Sequence, residues 1–270
     1  MTGTRRLRKL SVISLAMIGL AGCDAKPATP DLYQAKAFVT GQDDRFRQDG
    51  FAQSLPDVLV KVSGDPQLAH DPRVAGLSAG VEALIAGYTY HDRMAGIPIG
   101  DEQGTRDRPY DLVVSFKPDK IDAVLKSLGR APWAAARPAV KLYLAVRNHA
   151  RDYVLASDGE FGVDQRDAVA AAAWQLGLNV QLPSQAELAA AHLAFKDIDT
   201  PVALPAGVEP SLTGTMIWTD GFIGWHALWR LRVHGEVHSW AINDVSYDEA
   251  FRSAMRGAAQ ILSGHGQPAS

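Results

Sequence analysis

Cysteine is nearly missing. In 270 residues only Cys23 carries a thiol, so no disulfide can form within the chain, and disulfide scaffolds and cysteine-rich metal sites are excluded. A surplus of positive charge is missing too: 27 basic residues stand against 30 acidic ones, a formal net charge of −3. That balance lacks the electrostatic footprint of a nucleic-acid partner. Neither a Gly-x-Gly-x-x-Gly turn nor a Walker loop occurs, so no phosphate cradle is read and no cofactor is expected. No segment supplies the roughly twenty consecutive apolar residues of a transmembrane helix. What is present is 47% hydrophobic and 21% charged residues, the balance of a folded chain with one large core or two modest ones.

The N-terminus carries the sharpest signal. Arg5, Arg6, Arg8 and Lys9 precede an apolar run from Leu10 to Leu20, and Ala21-Gly22-Cys23 follows. A charged region, a short apolar core and small residues make an export signal. Leu20-Ala21-Gly22-Cys23 resembles a bacterial lipobox, in which the thiol is acylated and the chain is cut before the cysteine; an ordinary secretory cut after Ala25 is the alternative. Residues 1–22 are therefore expected to be a lipoprotein signal peptide, with Cys23 the lipidation site and the lipid bilayer a partner through it. Removing them leaves 23 basic against 30 acidic residues, a net charge of −7, so attachment rests on acyl chains and not on attraction to anionic headgroups. Asp24, next to the cysteine, resembles an inner-membrane retention signal, which favours the inner over the outer membrane. Residues 23–31, with Pro27 and Pro30, read as an extended tether reaching roughly 25 Å at most.

Residues 32–129 read as a first small α/β unit. Ala35, Ala37 and Val39 alternate with Gln34, Lys36 and Phe38 as a half-buried strand. Phe51, Leu55, Val58, Leu59 and Val62 form a helical stripe ending at Gly64, with Pro56 either kinking the helix or opening its regular part. A second helix is expected from Pro72, with Val74, Leu77, Val81, Leu84 and Ile85 on its stripe and Gly87 as its stop. Two strands, 88–93 and 110–117, flank a loop with Gly96, Gly100 and Gly104, and a helix from Asp119 stops at Gly129. Residues 129–138 hold Pro132 and Pro138 and read as a linker.

Residues 139–264 read as a second α/β unit. A strand over 140–146, an alanine-rich helix from Asp164 to Gly177, a strand over 178–182 and a helix opened by the capping box Ser184-Gln185-Ala186-Glu187 follow in order. Strand, helix, strand, helix favours parallel pairing. The proline-bearing stretch 197–210 reads as a loop. Strands over 212–219, 225–234 and 237–242 come next, the last two joined by Gly235-Glu236 as a type II′ turn. That turn sets Trp229 opposite Ile242 and Leu231 opposite Trp240, and gathers Trp225, Trp229 and Trp240 on one face. Ser246 with Glu249 is a second capping box, and the last helix carries Phe251, Ala254, Met255 and Ala258 on one stripe. The fold class expected is α/β (α+β), the second unit a mixed sheet ending in an antiparallel hairpin under a C-terminal helix.

The run from Ala52 to Asp65, the strand over 110–116, Ala131-Pro132-Trp133 with Arg137-Pro138, and Leu142-Tyr143-Leu144-Ala145-Val146 together resemble bacterial envelope proteins of the domain of unknown function 2066 family, over roughly residues 32–262. The resemblance implies proteobacterial origin and an envelope location, and supplies no catalytic residue.

Candidate chemistry is sparse. Gly76-Leu77-Ser78-Ala79-Gly80 matches the nucleophile-elbow pattern of hydrolases, but His70 to Ala75 make a poor preceding strand. His226, His234 and His238 are split between faces by the hairpin and cannot share a metal. His91-Asp92 reads as a solvated turn, and Asp158, Glu160 and Asp164 lack calcium-loop spacing. Trp225, Trp229 and Trp240 are either core under the last helix or a glycan or protein contact. Trp133, Trp174 and Trp218 read as packing residues. The function expected is a non-catalytic, periplasm-facing envelope lipoprotein with a periplasmic protein partner; the alternative is a cell-wall or lipid hydrolase using Ser78.

Overall fold

A computed structural model describes residues 31–97, 108–199, 209–219 and 224–268. Cys23, Asp24, the signal segment 1–22 and the tether up to residue 30 lie outside the described residues, as do Gly100, Gly104 and the middle of the 197–210 stretch. Among the described residues no helix is long and apolar enough to cross a membrane.

The first half is built on three antiparallel strands, β1 (Gln34–Val39), β2 (Ile85–Asp92) and β3 (Tyr110–Phe116), in the order β1-β3-β2. Alternation places Ala35, Ala37, Val39, Leu112, Val114 and Phe116 on one face, all buried. They pack against α1 (Asp44–Ser63) and α3 (Pro118–Ser127), whose Phe51, Leu55, Leu59, Ile121 and Leu125 are buried as well. Helix α1 runs unbroken through Pro56 and starts a turn and more before Phe51. An interior proline costs about 3 kcal/mol, whereas each large apolar side chain buried on the stripe returns about 1.5 to 3 kcal/mol. Packing wins. Gly64 ends the helix at φ 77°, its N–H donating to the Val60 carbonyl at 2.7 Å.

The single helix expected over 72–86 is not what forms. Asp71 caps a five-residue helix, α2 (Pro72–Gly76), a 3-10 segment follows over Ser78–Leu84, and β2 begins at Ile85. Gly76 and Gly80 each weaken a helix by about 1 kcal/mol, and the chain from Ile85 gains a ladder with β3 instead.

The second half holds a mixed sheet in the order β5-β4-β7-β8-β9. Its strands are β4 (Ala139–Arg147), β5 (Asp152–Val154), β6 (Asn179–Gln181), β7 (Ser211–Thr219), β8 (Gly224–Val233) and β9 (Glu236–Val245). β4 runs parallel to β7 on one edge; on the other it pairs with β6 near its start and antiparallel with β5 near its end. The helices are α4 (Val163–Leu176), α5 (Gln185–Ala190), α6 (Phe195–Asp199) and α7 (Tyr247–Leu262). β5 and α6 correct the sequence reading, which left both stretches without structure; three and five residues carry too little periodicity to register.

The hairpin register also differs from expectation. His234 and Gly235 both have positive φ, 52° and 79°, so they are the two turn residues of a type I′ hairpin and Val233 pairs with Glu236. Trp229 therefore faces Trp240, Leu231 faces His238, and Ala227 faces Ile242. The slip is two residues, so every side chain keeps its face. Trp225, Trp229 and Trp240 are 8%, 0% and 2% exposed. Helix α7 covers two of them: the Phe251 ring lies tilted with its centroid 6.3 Å from that of Trp229, and Trp240 Nε1 donates to the Ser253 carbonyl at 3.3 Å; Trp225 packs edge-on against Trp218 at 5.5 Å. The aromatic face is core and offers no surface to a glycan.

One apolar cluster runs from α1 and β3 through α4 and β4 to β8 and α7. The stretch between the two sheets is fastened. Trp133 N–H donates to the Val62 carbonyl at 2.9 Å, Arg130 Nε reaches Asp65 Oδ2 at 2.5 Å, and Arg137 bonds the ends of α1 and α4.

Candidate functional site

The residues nominated from sequence do not assemble into a reacting centre. Ser78 opens a 3-10 segment after α2, so the strand that a nucleophile elbow requires is absent. His91 and Asp92 point to opposite faces of β2: His91 pairs in register with Asp111, whereas Asp92 accepts from Met94 N–H at 2.8 Å and from Arg108 at 2.9 Å. Asp158 accepts from Gln185 N–H at the start of α5, and Asp164 sits in the first turn of α4. His226 is bonded to Asn243 at 2.9 Å and His238 to Gln267 at 3.1 Å. Among the described residues no group of three or more His, Cys, Asp or Glu could hold a metal ion.

A cleft of about 610 Å³ lies elsewhere, between the open face of the three-stranded sheet and helix α4. Strand alternation sends Gln34, Lys36, His91, Asp111 and Val113 away from α1 and into this space. Across from them Ala168, Ala171, Ala172 and Gln175 recur at i, i+3, i+4 and i+7 along α4, one helical stripe. Alanine ends at Cβ, so this stripe approaches the sheet without filling the gap. Trp174, and Asp248 with Arg252 from the first turns of α7, complete the lining.

Charge is arranged unevenly. In the cleft wall Lys36 lies 3.3 Å from the Asp111 carboxylate, which Arg93, outside the cleft lining, also approaches at 3.8 Å. On the α7 side Arg252 is held by Glu249 at 2.8 Å, while Asp248 has no ion pair among the described residues. Behind the cleft Lys61 is 1% exposed; its ammonium donates to the Gln34 carbonyl at 2.9 Å and sits 3.8 Å from the centroid of the Trp174 ring. Burial holds the Lys61 amine down to about 8 and pushes the Asp57 carboxyl one turn earlier upward, against a hydrogen bond from Gln175 at 3.3 Å that favours the carboxylate. Trp174, read as a packing residue, thus shares the cleft with Gln175 and covers a buried cation. Its only sequence signal was a tryptophan in an alanine-rich helix; its neighbour Lys61 is 113 positions away in sequence.

No curated protein matches the chain, and no solved structure does. A family model does, and it corrects the resemblance drawn from sequence: the shared strands and Ala-Pro-Trp segment are packing patterns that different α/β families can carry, and the family that matches is not the 2066 family. The match starts after Cys23, so it supplies no lipoprotein signal, and it ends before α4, so it covers the sheet wall of the cleft and not the helix wall. Residues 28–134 are similar to a domain of unknown function, DUF8605.

Proposed function

We propose that the protein is a non-catalytic, periplasm-facing envelope lipoprotein, anchored through acylated Cys23, whose body binds a small ligand in the cleft between α4 and the three-stranded sheet. The observation that carries the binding role is the cleft: its volume of about 610 Å³ falls in the range of small-molecule sites, and it combines apolar walls with a few placed polar groups. The anchor is supported by Leu20-Ala21-Gly22-Cys23 behind a basic and then apolar segment. Asp24 favours retention at the inner membrane.

Two measurements test this reading. Metabolic labelling with palmitate should mark the wild type and not Cys23→Ala; label on the variant would overturn the anchor. Native mass spectrometry of the protein isolated from cells should show a bound species that Ala171→Leu, which fills the cleft from an exposed position, removes. A bound species unaffected by Ala171→Leu, or none at all, would overturn the cleft.

A further inference from the structure

We infer that residues 263–268 are a strap that shuts the free edge of β9, and that the edge they shut is a pairing surface for a second copy of this chain.

The hairpin register decides which backbone groups lie on that edge. With His234-Gly235 as a two-residue turn, Val233 and Glu236 form a hydrogen-bonded pair, and bonded and non-bonded pairs alternate from there. Trp229 with Trp240 is therefore a bonded pair, whereas Arg232 with Val237, Arg230 with Ser239 and Leu228 with Ala241 are not. The N–H and C=O groups of Val237, Ser239 and Ala241 thus point away from β8. Because β9 is the last strand in the order β5-β4-β7-β8-β9, no further strand receives them, and among the described residues none of the three makes a backbone hydrogen bond outside the hairpin.

Such an edge invites pairing unless something blunts it. β9 contains neither lysine nor proline, and its register shift lies at the far end, opposite Trp225 and Ala227, so the run from Val237 to Ala241 keeps a regular ladder. The three outward positions are uncharged, and Val237 is 54% exposed. No charge at these positions repels an identical edge, and two identical strands set antiparallel about a two-fold axis satisfy each other.

What blunts the edge is the segment after α7. Gly264 and Gly266 take φ values of 83° and 87°, which turn the chain back beside β9. Gln267 then bonds the strand with both ends of its amide: the oxygen meets His238 Nδ1 at 3.1 Å, and the nitrogen donates to the outward Ser239 carbonyl at 2.6 Å. The amide takes the bond that a neighbouring strand would make. Pro268 follows, buried beside Trp240, Ile242 and Pro66, and having no N–H it cannot extend a ladder. Gln260 of α7 fastens the segment from behind, donating to the carbonyls of His265 at 3.4 Å and Gln267 at 3.2 Å.

The test measures the protein mass of the full-length chain in detergent micelles, by light scattering with absorbance and refractive-index detection. The wild type should be monomeric. Gln267→Ala combined with Pro268→Gly should strengthen self-association at least about tenfold, since two hydrogen bonds and the proline no longer hold the strap. Adding Ala241→Pro, which removes an N–H that β8 does not use, should return the released variant to monomer. A released variant that stays monomeric with unchanged melting would overturn the inference. Dimers that persist with Ala241→Pro would place the contact elsewhere and overturn it as well, and a wild type already dimeric through β9 would show that the strap does not shut the edge. If the double variant melts early, Gln267→Ala alone decides: its side chain is exposed, so the fold stands, and association no stronger than that of the wild type would count against the strap.

Discussion

Gly214 of β7 lies directly opposite Trp229 of β8, and a Cβ added to it would come within 2.0 Å of Trp229 Cζ3. Leu144 Cδ1, at 2.9 Å from the same point, closes the other side. The indole therefore fills the space that a side chain at 214 would need. Gly257 of α7 has the same relation to Trp240, at 2.4 Å from Cε2. Two glycines let a helix and a strand close over two tryptophans.

Gly214→Ala should therefore destabilise the protein by overpacking, at about 1 to 3 kcal/mol. Trp229→Ala should cost about 3 to 5 kcal/mol, and the double variant should cost less than the two together, because the indole that the new methyl strikes is gone. His226→Ala, on the opposite face with partially exposed partners Asn243 and Asp244, should stay below about 1 kcal/mol. Urea titration of the four variants checks this; additive costs for Gly214→Ala and Trp229→Ala would contradict the contact.

Lys61 gives a pH dependence with a definite sign. Its amine is held down to about 8 from an ordinary 10.5, chiefly by burial, with Arg137 adding to the effect and Asp31 and Asp57 opposing it. Between those two values the unfolded chain binds more protons at this position than the folded one, so its contribution to stability rises with pH across that window. Lys61→Met should flatten the rise. Denaturant midpoints at pH 7.5 and 10 in both proteins measure it, and an unchanged slope in the variant would show that Lys61 is not desolvated.

Arg137 ties two helix ends together. Its guanidinium donates to the Leu176 carbonyl at 2.6 Å and Gly177 at 3.2 Å at the end of α4, and to the carbonyls of Lys61 and Val62 at the end of α1, while stacking 4.4 Å from the Trp133 ring centroid. Lysine has the charge but not the planar fork. Arg137→Lys should lose about 1 to 3 kcal/mol, with hydrogen exchange speeding up in the last turns of both helices at once; acceleration in only one would mean that the bridge does not couple them.

Helix ends were the most legible part of the sequence, because they depend on single residues. Gly64, Gly129 and Gly177 take φ values of 77°, 74° and 64°, the left-handed region that glycine enters without steric cost. Ser184 and Glu187 form the full reciprocal capping box. Ser246 forms half of one: its hydroxyl accepts from Glu249 N–H at 3.2 Å, but the Glu249 carboxylate turns to Arg252 and Arg256. Strand faces were legible for the same local reason, and survived a register error of two residues at His234-Gly235 because a shift of two preserves alternation. The cleft was not legible. Gln34 and Lys36 showed only as the outward half of a strand, and Ala168, Ala171 and Ala172 as helix-forming filler; nothing local says that two such surfaces face each other across a gap.

The binding role of the protein depends on whether that gap is occupied in the cell. Alanine-methyl NMR spectra of the full-length protein as isolated from cells, compared with the same protein unfolded, washed and refolded, address it directly. The differences should concentrate at the methyl groups of Ala168, Ala171 and Ala172. Identical spectra, or differences centred on alanines away from α4, would contradict it.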